Sequence, residues 1–184
     1  MKRILVMCLA VCFAVAGISG AASAAVKAGD GTAMGTLSYN FTTYDGETGG
    51  LDVSTFAAAL NVGRFVTDSF QLEFGLAGHS ITIDEGGSAT LQQMGLQVRP
   101  NFHFNTESNT VPYIGLTLGY FWTEYFEVSD GNFLYGGQVG IKQFIKDNAY
   151  MQFEVGYNAA SIEFYGEDVD VGDLRLSVGF GVKF

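Results

Sequence analysis

Two histidines and a neighbouring serine are the side chains of this chain best suited to acid–base or nucleophilic chemistry. His79 directly precedes Ser80, and His103 lies between Phe102 and Phe104. Hydrolysis by a serine nucleophile requires the hydroxyl, an imidazole and an acid within hydrogen-bonding reach of one another. Because consecutive side chains of a strand point to opposite faces, His79 and Ser80 are not expected to act together. The sequence therefore predicts no catalytic residue, and we interpret both histidines as structural.

Charged residues on largely apolar segments form a second candidate site. Five of them share a polar face with glycine, glutamine, threonine, serine and asparagine, and they carry both signs: Glu73, Arg99, Lys142, Glu154 and Arg175. Buried charges are tolerated only when they are paired and hydrogen-bonded. We expect Glu73 to pair with Arg99, and the other three residues to form a second group. The favoured interpretation is a structural, salt-bridged plug, and the alternative is the gate of a small pore.

The composition restricts the class of protein that carries these residues. The chain has 184 residues, enough for one domain, of which 48% are hydrophobic and only 15% are charged. A typical soluble domain is about 25% charged. This apolar and aromatic content, with 16 Phe and 9 Tyr, excludes a disordered chain. The net charge of −10 argues against nucleic acid as a partner.

The first 24 residues are predicted to be a secretory signal peptide. Lys2 and Arg3 precede an unbroken run of 13 apolar residues, and a small-residue cleavage site follows at Ala22-Ser23-Ala24. Thirteen apolar residues are too few for a membrane-spanning helix. Cleavage after Ala24 leaves one domain of residues 25–184, which contains no cysteine and therefore no disulfide.

Eight segments of the remaining chain alternate between apolar and polar residues, as β-strands do. The clearest is the last, in which Leu174, Leu176 and Val178 face away from Arg175 and Ser177. The predicted strands are residues 33–44, 53–65, 70–77, 94–104, 112–122, 133–145, 149–158 and 173–184. Short turns alternate with longer acidic stretches between them, so we expect turns at one end of the sheet and loops at the other. Pro100, which lacks a donor, predicts a bulge in the fourth strand.

The distribution of charge over the two faces predicts which face meets water. A soluble barrel needs charged residues on its outer, polar face, but here the polar face is mostly small or uncharged. The apolar face carries no charge in the middle of any predicted strand, which suits lipid. Closing the sheet satisfies every backbone group and leaves no edge in the bilayer. We therefore predict an all-β fold, an eight-stranded antiparallel up-and-down transmembrane β-barrel.

Residues 25–184 resemble the small eight-stranded bacterial outer-membrane barrels, the OmpA-like and opacity-type porin-fold proteins. The resemblance is carried by the final nine residues, by Phe-x-x-Asp turns such as Phe65–Asp68, and by Val111–Gly115. In that family a last strand ending in Phe is the signal read by the barrel-assembly machinery. The resemblance therefore implies that Phe180, Val182 and Phe184 serve insertion. It also implies periplasmic chaperones during biogenesis, periplasmic termini and extracellular loops.

Such folds host adhesins, structural barrels, small channels and lipid enzymes, so the resemblance alone names no activity. We expect a monomer in contact with outer-membrane lipids and lipopolysaccharide, with a structural or surface-interaction role and without catalysis, cofactor or metal. The second hypothesis is a narrow low-conductance channel for small solutes. The third is a membrane-embedded lipid-modifying enzyme that depends on His79.

The expected loops contain thirteen acidic residues and no lysine or arginine. Such a one-signed field could hold divalent cations or attract basic partners. The most acidic stretch, 167–170, offers hard oxygen ligands but lacks the pattern of an EF-hand loop. We favour a role in solubility and in repulsion beside anionic lipopolysaccharide.

Overall fold

The computed structural model describes residues 26–46, 49–84, 88–125, 128–164 and 167–184, which form one closed antiparallel barrel. Each strand pairs with the next along the chain, and β8 pairs with β1. The prediction of an eight-stranded up-and-down barrel is confirmed. The strands are β1 (Gly31–Gly46), β2 (Gly49–Phe65), β3 (Phe70–Asp84), β4 (Ser88–His103), β5 (Thr110–Tyr125), β6 (Val128–Lys146), β7 (Ala149–Phe164) and β8 (Glu167–Lys183).

The pleat of the strands separates an apolar outer surface from a polar interior. Large aliphatic side chains point outward, and Leu60 and Leu116 are 71% and 59% exposed. Amides such as Gln71, Asn101 and Gln138 are buried inside. This is the arrangement that lipid outside and a narrow bore inside require, because an eight-stranded barrel is just wide enough for side chains to fill it. Within the described residues, no helix is long and apolar enough to cross a membrane.

The strands extend further than predicted at the end where loops were expected. β3 continues to Asp84 rather than ending at Ala77, and β8 begins at Glu167 rather than Asp173. The expectation of long loops is therefore wrong for the backbone, because the acidic stretches continue as paired hairpins. Once the barrel has aligned two strands, continuing the ladder gives their backbone N–H and C=O groups hydrogen-bond partners. The connecting residues 47–48, 85–87, 126–127 and 165–166 lie outside the described residues.

The expectation of a bulge at Pro100 is also wrong. β4 and β5 keep one register from Val98↔Leu118 to Asn101↔Gly115, and the pairing is interrupted between these two positions. Because Pro100 has no N–H, the ladder loses hydrogen bonds at this position, but no extra residue is inserted and no bulge forms. The register shift lies elsewhere, between Phe144 and Lys146 in the β6–β7 pair.

Candidate functional site: the charge layer inside the barrel

The five charged residues identified in the sequence come together inside the bore. They project inward from β3, β4, β6, β7 and β8, because each occupies an inward position of its strand. Four of them are at most 4% exposed: Glu73, Arg99, Lys142 and Glu154. The side chain of Arg175 is 13% exposed at the upper edge of the group, towards the β1–β2 hairpin end. We call these five residues the charge layer.

Glu154 is the centre of the charge layer. Its carboxylate accepts hydrogen bonds from the guanidinium groups of Arg99 and Arg175, the latter at 2.8 Å. The Tyr113 hydroxyl donates to Glu154 Oε2 at 2.5 Å, and Gln152 Nε2 donates to the same oxygen at 3.3 Å. The carboxylate therefore has cationic and neutral donors on several sides, as a buried anion requires.

Glu73 is the second carboxylate acceptor of the charge layer. Lys142 Nζ donates to Glu73 Oε1 at 3.0 Å, and Asn101 Nδ2 donates to Glu73 Oε2 at 3.0 Å. Arg99 Nη1 lies 3.8 Å from Glu73 Oε2, within ion-pair range but too far for a hydrogen bond. Arg99 thus stands between the two carboxylates and joins the two expected groups into one network.

Aromatic rings lie on the side of the charge layer that faces the β2–β3, β4–β5 and β6–β7 turns, which we call the short-turn end. Lys142 Nζ is 5.5 to 5.7 Å from the ring centroids of Phe65, Tyr113 and Tyr150. At this range the negative ring faces attract the ammonium group. Sequence reasoning did not assign Tyr113 to the site, although its position on the inward face of β5 would have been the signal.

A small cavity lies on the other side of the charge layer. Its volume is about 20 Å³, room for about one or two waters, and Ser38, His79, Gln97 and Ser177 contribute to its wall together with Arg99, Glu154 and Arg175. Arg99 and Glu154, at most 4% exposed, form the base of this cavity. The charge layer therefore crosses the bore at this level, and the cavity directly above it holds only water-sized molecules.

Both histidines occupy aromatic environments. The His79 ring lies 4.7 Å from the ring of Phe121. His103 is 1% exposed and lies between the rings of Phe65 and Tyr113, at 4.9 and 5.3 Å. In the described part of the chain, no hydrogen bond joins His79 to a serine hydroxyl, and no cluster of three potential metal ligands occurs.

The last strand presents the residues implicated in assembly to the outer surface. Phe180, Val182 and Phe184 are 59%, 42% and 77% exposed. The Phe184 backbone exchanges two hydrogen bonds with Gly31, at 2.7 and 2.9 Å, so the end of the chain closes the barrel against β1. Of the acidic residues at the opposite end, Asp173 accepts a hydrogen bond from Asn40 Nδ2 at 2.5 Å.

Comparison with known proteins agrees with the barrel geometry. The family model for the outer membrane protein beta-barrel domain matches residues 10–184. The outer membrane protein OprG from Pseudomonas aeruginosa has 20% identity and a TM-score of 0.62, over 87% of this chain and 98% of that chain. Neisserial surface protein A has 18% identity and a TM-score of 0.57, over 85% and 98%. Outer membrane protein AlkL, solved in lipid bilayers, has 16% identity and a TM-score of 0.52, over 90% and 95%.

No curated protein matches the chain. The structural matches, at 20% identity or less, show the shared fold. The family match covers nearly the whole chain and agrees with the closed barrel and its apolar outer surface. The chain therefore belongs to the outer membrane protein beta-barrel domain family, which places it in the lipid of the bacterial outer membrane.

Proposed function

We propose that this protein is a non-catalytic outer-membrane barrel whose role is structural or depends on its surface, and whose bore is closed. The observation that carries the proposal is the charge layer. Its carboxylates are held by three cationic side chains, and four of its five members are at most 4% exposed. A bore crossed by paired, buried charges supports stability rather than transport, because solute passage would require breaking several buried ion pairs.

Conductance across planar bilayers tests the closed bore. We expect the wild-type protein to give no stable current steps. The Val26→Asp/Arg99→Ser/Glu154→Ser variant removes two side chains from the charge layer and opens the buried packing of Val26 below it, so it should conduct and show that the assay detects an open bore. Reproducible current steps from the wild-type protein, at the size given by the variant, would contradict the closed bore and favour the channel.

The narrow low-conductance channel is the second candidate function. It is favoured by the cavity of about 20 Å³ above the charge layer, whose wall includes Ser38, Gln97 and Arg175. A conducting state would require Arg175, the most exposed member of the layer, to swing away from Glu154. The lipid-modifying enzyme has less support, because the ring of His79 contacts Phe121 and no serine hydroxyl bonds to it within the described residues. A lipid-modifying activity lost on His79→Ala would favour the enzyme.

The route to the membrane forms the remaining part of the proposal. Residues 1–24 would be cleaved as a signal peptide, and periplasmic chaperones would deliver the chain to the barrel-assembly machinery. Phe180, Val182 and Phe184 would carry the assembly signal, which their outward positions at the end of β8 support. The folded protein would be a monomer with periplasmic termini, and its acidic hairpins would face the cell exterior beside lipopolysaccharide.

A further inference from the structure

The segment before β1, residues 26–30, crosses the mouth of the barrel at the short-turn end. It leaves β1 at Gly31 and reaches the β4–β5 turn, where Val26 N donates to Thr106 O at 3.0 Å. In a closed barrel of eight strands, this turn lies opposite β1. The segment therefore runs from β1 past the β2–β3 turn to the opposite turn, and Val26 at its start is buried over the opening.

Several hydrogen bonds hold the segment in place. Gly29 N donates to Phe65 O at 2.7 Å, and Phe65 N donates to Asp30 O at 2.9 Å. Ala28 N donates to the carboxylate of Asp68 on the β2–β3 turn at 2.8 Å. A tight turn precedes β1, with Asp30 N donating to Lys27 O at 3.0 Å and Gly29 at a φ of 95°. A positive φ at the third residue of a turn favours glycine.

Val26 closes the mouth with an apolar contact. It is 3% exposed and belongs to a buried cluster with Met34, Phe65, Val111, Phe144 and Tyr150. Two rings of this cluster, Phe65 and Tyr150, also face the ammonium group of Lys142. The cluster therefore lies between the charge layer and the solution at the short-turn end.

We propose that residues 26–30 form a detachable strap that seals the lower bore, and that its release is the step that admits water beneath the charge layer. The strap is held by a few hydrogen bonds, the ion pair between Lys183 and Asp30 at 3.6 Å and one buried valine, whereas the barrel wall is held by continuous ladders. Such a segment opens at a lower free energy than the barrel unfolds. The proposal does not rest on the closed bore, since a strap can seal one mouth of a channel as well.

The rate at which hydrogen peroxide oxidises Met34 reports on the seal and requires no substitution at the probe residue. The thioether sulfur gains one peroxide oxygen and is oxidised by two electrons, while the peroxide is reduced to water. Met34 is 4% exposed in the cluster, whereas Met94 lies outside the bore on the lipid-facing surface of β4, where the strap cannot affect it. Met94 therefore serves as an internal control in the same sample, with both sulfoxides measured by peptide mass spectrometry on the folded protein in lipid vesicles.

The decisive variant is Val26→Asp, compared with Val66→Asp as its matched control. Val66 lies on the neighbouring turn and is 59% exposed, so the same substitution there leaves the seal intact. A carboxylate at position 26 is costly to bury, so we expect Met34 oxidation to accelerate by about tenfold or more in Val26→Asp. We expect a change within about twofold for Val66→Asp, and an unchanged Met94 rate in every sample.

Gly29→Val provides the second variant should Val26→Asp fail to fold. A side chain at this position has open space around it, so the change acts only through the positive φ of the turn. That strain should release the strap and accelerate Met34 oxidation by about fivefold or more. Equal Met34 rates in the wild type and in the folded strap variants would overturn the proposal. Equal acceleration by Val66→Asp would also overturn it, because general destabilisation would then explain the result.

Discussion

Replacing Glu154 by glutamine is the most direct perturbation of the charge layer. The amide keeps nearly the same shape but removes the negative charge that Arg99 and Arg175 share. The layer would then hold three cationic residues and one carboxylate, Glu73. Removing one partner of a buried ion pair costs about 3–5 kcal/mol, because it leaves a buried charge without compensation. We expect Glu154→Gln to lower the free energy of unfolding by about that amount.

The loss is measured by equilibrium unfolding in urea from lipid vesicles, with the folded fraction read from heat-modifiable gel mobility. Glu107→Gln is the matched control, since Glu107 is exposed on the β4–β5 turn. The same chemical change there should alter the free energy of unfolding by no more than about 0.5 kcal/mol. A loss in Glu154→Gln that is as small as this control would refute the idea that the charge layer stabilises the barrel.

A double-mutant cycle separates the attraction between Arg99 and Glu154 from the cost of leaving Arg99 buried without that carboxylate. Arg99→Met in the Glu154→Gln background removes one of the two cations that lost their carboxylate partner, while it preserves much of the side-chain volume. We expect the double variant to lose at least about 1 kcal/mol less than the sum of the two single losses, because contacting residues are not additive. Additive losses would show that the Arg99–Glu154 contact contributes no coupling of its own.

Three further outcomes follow from the interior and from the last strand. Gly140→Ala should destabilise the barrel by about 1–3 kcal/mol in the urea assay, since its new Cβ would lie 2.6 Å from Tyr113 Oη. Gln138→Leu should cost about 1–3 kcal/mol in the same assay, because the Thr117 hydroxyl donates to Gln138 Oε1 at 2.6 Å. Phe184→Ala should reduce the amount of assembled protein in outer-membrane fractions while refolding into vesicles in vitro is retained; unchanged assembly would contradict the signal role.

The strands were predictable because their alternation is a local property of the sequence. Phe70 to Ala77 and Asp173 to Phe184 alternate without interruption, and both segments lie within observed strands except for the terminal Phe184. The strand ends next to the acidic hairpins were not predictable, because acidic and small residues there do not alternate with apolar ones. Backbone pairing continues through Asp84 and Glu167 because the neighbouring strand is already aligned, which is a tertiary effect.

The members of the charge layer could be predicted, but not all of their partners. Glu73 and Arg99 are direct neighbours in the β3–β4 register, as their similar distances in residues from the short-turn end predict. The hydrogen bond from Arg99 runs instead to Glu154, from β4 across the bore to β7. Which side chains meet across a bore depends on strand tilt and shear, and these are fixed only when the barrel closes.

The sequence by itself determined the number of strands, their two faces and the identity of the buried charges, because each follows from alternation along a single strand. Only the tertiary structure decided that Glu154 is the centre of one connected layer and that Val26 seals the mouth. Residues 26–30 have no periodic pattern, and their position depends on the β4–β5 turn brought opposite β1 by closure. Contacts across the bore join residues that are distant in the chain, so the local sequence pattern does not predict them.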